Sequence, residues 1–238
     1  MQISHLFFRG LTFVTIALTL SACDQKAASQ QAETQQAVAA KNEIVALSGK
    51  TMGTTYHIKY WGNNEVSITS QQAHEQIESI LKAVNTKMST YIQDSEISRF
   101  NQNTQTNTPI EISADFALVV KEAMRLNQVT QGALDVTVGP VVNLWGFGPE
   151  KRVEKQPTQE QITERQAWVG IDKLSLTEES GKFFLAKAVP QLYVDLSSIA
   201  KGFGVDQVAD YLESIHVQNY MVEIGGDYMQ KAMFPHDF

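Results

Sequence analysis

The sequence predicts an α+β domain with a mixed or antiparallel sheet and packed helices. Three observations lead there: long amphipathic helical stretches, short strand stretches that come in pairs around small-residue turns, and the absence of any internal repeat. Ile44–Leu47 and Thr55–Tyr60 read as the first two strands. The second alternates through Tyr56, Ile58 and Tyr60, and Lys50-Thr-Met-Gly-Thr54 forms a small-residue loop between them. Gln71–Met88 carries Ile77, Ile80, Leu81, Val84 and Met88 at helical spacing, so it is a helix with one apolar face. Ser95–Phe100 reads as a short helical turn, and the Asn/Gln/Thr cluster 101–108 as a loop. Ser113 is an N-cap for a helix whose inner face is Phe116, Val119, Val120, Ala123 and Leu126, and which stops at Gly132.

Thr158 and Gln161 make a capping box for a shorter helix running to about Trp168. Leu174–Leu176 and Phe183–Ala186 flank Glu178-Glu-Ser-Gly181 as a hairpin. Leu192–Leu196 is predicted as a further strand, Ile199–Glu213 as a helix with Phe203, Val208 and Leu212 inward, and Tyr220–Ile224 as the last strand. The stretch Val194–Gly204 is then a strand entering a glycine-bearing helix start. Such a turn aims amide groups and the positive end of the helix dipole at one point, where a phosphate can sit. Lys201 adds a cation there. Gly202 and Gly204 either clear space for a ligand or serve packing, and Asp195 suits a sugar hydroxyl, an amide or a metal ion rather than a bare anion.

The N-terminal residues have a separate role. Arg9 is the only formal charge before Leu11–Leu20, an apolar run too short to span a bilayer at roughly 20 residues per crossing. Leu20-Ser-Ala-Cys23 follows, so residues 1–22 read as a signal peptide. The four residues resemble a bacterial lipobox, which implies lipidation of Cys23, the single cysteine of the chain. Asp24 implies, by resemblance to enterobacterial lipoproteins, retention at the periplasmic face of the inner membrane. Residues 23–43 are rich in Gln and Ala and cannot bury enough apolar surface to fold, so they form a lipid-anchored tether, leaving 44–238 as the domain. A net charge of −7 gives no nucleic-acid footprint.

Gln131–Pro149 holds glycines and prolines among Leu, Val, Trp and Phe, a mixture suited to an irregular segment packed inside. Asp135 has two open roles there, a helix N-cap or a ligand contact; Trp145 and Phe147 are either core or a stacking platform. Five motifs then occur in order: Met52-Gly-Thr-Thr-Tyr56; Met88-Ser-Thr-Tyr91 with Ser95–Asn101; Gly132-Ala-Leu-Asp-Val-Thr-Val-Gly-Pro140; Val194-Asp-Leu-Ser-Ser-Ile-Ala-Lys-Gly202; and Glu223-Ile-Gly-Gly226. Together they resemble the ApbE family, the FAD:protein FMN transferases, once called thiamine biosynthesis lipoproteins. The resemblance implies an ApbE-like flavin-transferase fold, FAD as substrate and Mg²⁺ as the metal. It implies transfer of FMN to a Thr or Ser hydroxyl with release of AMP, the acceptor being a subunit of a membrane redox complex such as a sodium-pumping NADH:quinone reductase.

By that resemblance Met52, Tyr91, Ala133, Leu134, Asp135, Asp195 and Lys201 fall on FAD-contacting positions, and Ser198 on a metal-contacting one through its backbone oxygen. No catalytic residue is assigned. Family members continue past the Glu-Ile-Gly-Gly strand with further strands, a helix, and an Asp and Thr that complete the metal site. Asp227–Phe238 does not resemble that continuation, so the expectation is a domain lacking its C-terminal strands, weakly active and marginally stable. The alternatives are an FAD pyrophosphatase that yields FMN and AMP, and a non-catalytic flavin-binding lipoprotein or remnant.

Overall fold

The fold is known from a computed structural model that describes residues 44–62, 66, 68–149 and 155–231. The predicted signal peptide, Cys23 and the tether lie outside the described residues. Strands β1 (Ile44–Thr51) and β2 (Thr54–Trp61) form a hairpin, followed by helices α1 (Ser70–Met88) and α2 (Glu96–Gln102), the short strand β3 (Ile110–Ile112), and α3 (Ala114–Val129). Next come α4 (Gly139–Leu144), α5 (Gln159–Gln166), the hairpin β4 (Leu174–Glu179) and β5 (Lys182–Lys187), α6 (Ala200–Ser214), β6 (Tyr220–Ile224) and β7 (Asp227–Lys231).

Two antiparallel sheets result, one in the order β1-β2-β6-β7 and one in the order β3-β5-β4. Each covers its own core. In the four-stranded layer Tyr56, Ile58 and Tyr60 of β2 and Val222 and Ile224 of β6 pack against Ala73, Ile77 and Leu81 of α1 and Val208 and Leu212 of α6. In the other, Phe116 and Val120 of α3 meet Leu185 of β5, Phe100 of α2, and Leu192, Val194 and Leu196. Met52 packs against both cores.

The helix starts follow the sequence signals. Ser113 Oγ accepts from the Phe116 amide at 3.3 Å, and Thr158 with Gln161 forms the full capping box. Glu96 strengthens the Ser113 cap, its two oxygens accepting from the Ser113 amide and hydroxyl. Thr69 and Gln72 form a second capping box at α1.

Two expectations are corrected. Leu192–Leu196 is extended, with Leu192, Val194 and Leu196 fully buried, but it is not a strand: among the described residues it makes a single parallel bridge, between Tyr193 and Val138. Its apolar alternation is real, but side chains take up the Val194 amide and carbonyl and the Leu192 carbonyl, while the Asp195 amide donates to Val136 O. Conversely, Tyr220–Ile224 is a strand but not the last one, because Asp227–Lys231 turns back on it and pairs residue for residue from Ile224↔Asp227 to Tyr220↔Lys231. The tight return runs through Gly225 at φ 56° and Gly226 at φ 97°, both in the left-handed region.

Candidate active site

Four chain segments distant in sequence meet around one cleft of about 640 Å³, within the range of small-molecule sites. The β1–β2 turn supplies Met52, Gly53 and Thr54; the end of α1 supplies Val84, Asn85 and Met88. The loop after it supplies Ser89–Ile92, and Ser197, Ala200 and Lys201 of the α6 start face Gly225 of the β6–β7 turn. The lining therefore combines the apolar side chains of Met52, Val84 and Met88 with one cation and two glycines.

Met52 reaches this position at a conformational cost. It occupies φ 50°, with Gly53 at φ 75°, a mirror-image turn whose first position is unfavourable for a side chain with a Cβ. Its side chain is thereby placed between the two cores and along the cleft. Asn85 ties the turn to α1, donating from Nδ2 to Thr51 Oγ1 at 2.9 Å. Tyr91 is 67% exposed, and its hydroxyl donates to the Phe147 carbonyl at 3.0 Å. That fixes a free aromatic face at the cleft rim. Phe147, itself 76% exposed, and Trp145 are not core residues among those described.

Lys201 Nζ lies 3.1 Å from Asp227 Oδ2, an ion pair joining the first turn of α6 to β7. Ile199 caps α6 without a side-chain bond, so first-turn amides are left to other partners. Glu223 pins the neighbouring turn: Oε1 accepts from the Gly226 amide at 2.6 Å and Oε2 pairs with His57 Nδ1 at 2.8 Å. His57, and secondly that amide, hold the Glu223 carboxyl below the usual carboxylate range.

The structure divides the sequence-predicted residues into three groups. Met52, Tyr91 and Lys201 share the cleft. Ser198 lies on a second cleft of about 730 Å³ across the α6 start, with Gly202, Gly226 and Asp227. Ala133, Leu134, Asp135 and Asp195 line neither cleft. Leu134 packs on a core, and its carbonyl accepts from Asn127 Nδ2 at 2.8 Å; Ala133 is exposed, its amide donating to Thr130 O at 3.1 Å.

Asp135 accepts from the Thr137 amide at 2.8 Å and hydroxyl at 2.6 Å, and from the Ile171 amide at 3.1 Å. Asp195 caps the next turn, accepting from the Ser197 amide at 2.8 Å. The Gly132–Pro140 motif thus builds support behind the site: Val136 O accepts from the Asp195 amide at 2.7 Å.

Glycine roles divide in the same way. A Cβ on Gly204 would stand 2.9 Å from Met52 Cε, so that glycine serves α6 packing; Gly202 faces open space. Sequence reasoning passed over Asn85, Asp227 and Lys187, and gave Thr54 and Gly225 no role beyond their places in the motifs.

Mg²⁺ requires oxygen donors, and among the described residues no group of three or more His, Cys, Asp or Glu able to hold a metal ion occurs. Ser198 and Asp227 alone fall far short of the six oxygens Mg²⁺ takes. The described residues do not fit that ion, and no chemical step is derived through it. A ligand with a flat ring and an anionic group does fit the first cleft: Met52, Val84 and Met88 offer apolar surface, Tyr91 a ring, and Lys201 a positive charge.

Comparison with known proteins gives this geometry a lineage. The profile of the ApbE family matches residues 52–235. The chain belongs to the ApbE family. It is 64% identical over 223 residues to a Haemophilus influenzae protein named FAD:protein FMN transferase, covering 94% of this chain and 60% of that one. Solved structures agree on the ApbE fold. The Flavin Transferase ApbE from Vibrio cholerae superposes with a TM-score of 0.75 at 54% identity, over 81% of this chain and 60% of that one. The Pseudomonas stutzeri flavinyl transferase ApbE, apo form, gives 0.74 at 34% identity, over 82% and 63%. The chain spans about 60% of the length of such ApbE relatives.

Proposed function

We propose that this chain carries the substrate-binding part of an FAD:protein FMN transferase. The observation that carries the reading is the meeting of Met52, Tyr91 and Lys201, from three separate family motifs, in one cleft. In this reading FAD enters with a ring system against Tyr91 and the Met52–Met88 wall. Its pyrophosphate lies against Lys201, where a charge-assisted contact holds it. The hydroxyl oxygen of a Thr or Ser on a partner protein bonds to the FMN phosphorus as the bond from that phosphorus to the AMP oxygen breaks. AMP leaves with that oxygen, and the hydroxyl proton passes to the departing AMP phosphate or to solvent. Lys201 holds the phosphates in place and offsets the charge that builds on the leaving oxygen.

Mg²⁺ belongs to the proposal as a requirement of the whole enzyme. The acceptor we propose is a subunit of a membrane redox complex, such as a sodium-pumping NADH:quinone reductase-like complex. The proposed location is the periplasmic face of the inner membrane, through a lipid on Cys23; Cys23→Ser should then move the protein from the membrane to the soluble fraction.

The test of function incubates the 238-residue chain with FAD, Mg²⁺ and a candidate acceptor, then follows flavin fluorescence on the denatured acceptor and AMP in solution. Labelled acceptor with matching AMP supports the transfer. AMP without any acceptor present would identify a pyrophosphatase, and bound FAD with no AMP a flavin-binding protein.

A further inference from the structure

We propose that Lys187 is a positioning residue for the cleft: with Asn101 it forms a side-chain clasp that takes the place of strand pairing at Leu192 and Val194 and so sets where Ser197 and Lys201 stand. The extended run is buried, so its amides and carbonyls need partners within the protein. Asn101 behaves like one residue of a missing neighbouring strand. Its Nδ2 donates to Val194 O at 2.8 Å, and its Oδ1 accepts from the Val194 amide at 2.8 Å. Lys187 then fastens both partners at once, Nζ donating to Leu192 O at 3.1 Å and to the Asn101 carbonyl at 3.0 Å.

The run hands its position directly to the site. Leu196 O accepts from the Ile199 amide at 3.0 Å and the Ala200 amide at 2.8 Å, so the first turn of α6 hangs from the last residue of the run. Lys201, the cleft's cation, is the next residue.

Lys187 is 1% exposed and ends 5.4 Å from the Phe100 ring centre. An apolar side chain would fill such a place without desolvating a charge. A lysine there is explained by the two carbonyls it satisfies and the ring face it meets. Its pKa, pulled down to about 8, has burial as its cause.

The inference rests on the FAD reading for its functional half only. The experiment compares the wild-type 238-residue chain, Lys187→Met, and Leu212→Ala, a truncation in the other core. Each is followed by amide hydrogen exchange and by titration with FAD. In Lys187→Met, exchange at 193–201 should accelerate at least about tenfold beyond the rest of the domain, and the FAD dissociation constant should rise about tenfold, the loss of one buried hydrogen-bond pair. Leu212→Ala should stay within about twofold of wild type for FAD.

Equal weakening in both variants, or unchanged exchange at 193–201 in Lys187→Met, overturns the clasp. Failure of the wild type to bind FAD removes the functional reading, while the exchange comparison still decides the clasp. Should Lys187→Met not fold, the wild type decides alone: the Val194 amide must exchange as slowly as those in the middle of α6. Exchange as fast as a surface loop overturns the proposal.

Discussion

Single residues carry the most specific consequences of this structure. Lys201 is the one cation on the described wall of the first cleft, and its partner Asp227 holds it in place before any ligand arrives. Lys201→Met should weaken FAD binding about tenfold to a hundredfold, the size of one charge-assisted contact, with little change in the urea midpoint. Fluorescence titration with FAD reads the first and urea denaturation the second. Lys187 makes a different prediction, about pH. Its folded pKa of about 8 lies below the usual 10.5, so the unfolded chain binds a proton that the folded chain has already released between those values.

Stability must therefore rise as pH climbs from about 8 toward 10. Tyr56 and Tyr220 set the upper limit. Burial first, then Glu78 and Glu213 respectively, raise their phenols, and the stability that goes with the retained proton is lost once pH passes the unfolded value near 10. Urea unfolding at pH 9.5 against pH 7.5 should show a gain on the order of 1–2 kcal/mol in the wild type. Lys187→Met should remove that gain.

At the scale of elements, caps and connections determine what the sequence discloses. Ser113 is a cap that can be removed cleanly, since its hydroxyl serves the α3 amide and Glu96 and no part of the cleft. Ser113→Ala should cost about 1 kcal/mol in urea unfolding and leave FAD affinity unchanged. Helices α1 and α3 were legible because their apolar residues recur on one face and their caps are explicit. The β4–β5 hairpin was legible from Ser180-Gly181, both of which adopt positive φ.

The run 192–196 was misread because period-two apolar alternation reports burial of an extended chain, not who pairs with its backbone. Here that partner is Asn101, some ninety positions away. Strand β7 was missed for the opposite reason. Asp-Tyr-Met-Gln-Lys lies at the sheet edge with no buried face, so no apolar period announces it. Of the cleft, the Met52, Tyr91 and Lys201 motifs were legible. The left-handed turn under Met52 and the buried charge at Lys187 were not, because each runs against the ordinary preference of its residue type.

The described residues form two cores with the cleft at their junction, and that arrangement has a measurable consequence. The cleft takes Val84 and Met88 from the core beneath the three-stranded sheet, while Gly225 and Thr54 come from turns of the four-stranded sheet. Met52 touches both cores. A ligand held there contacts both bodies, and it stabilises whichever opening separates them. At a concentration a hundredfold above its dissociation constant, FAD should add about 2.7 kcal/mol.

For a domain of this size that corresponds to a rise in Tm of roughly 5–10 °C. The distribution of that gain tests the architecture. Val222 lies in one core and Val194 in the other, so hydrogen exchange of their two amides reports the cores separately. With FAD bound, both should slow by the same factor, about a hundredfold, if the cores open together. Slowing confined to Val194 would mean that the ligand sits on one core only, and that Met52 does not couple it to the other.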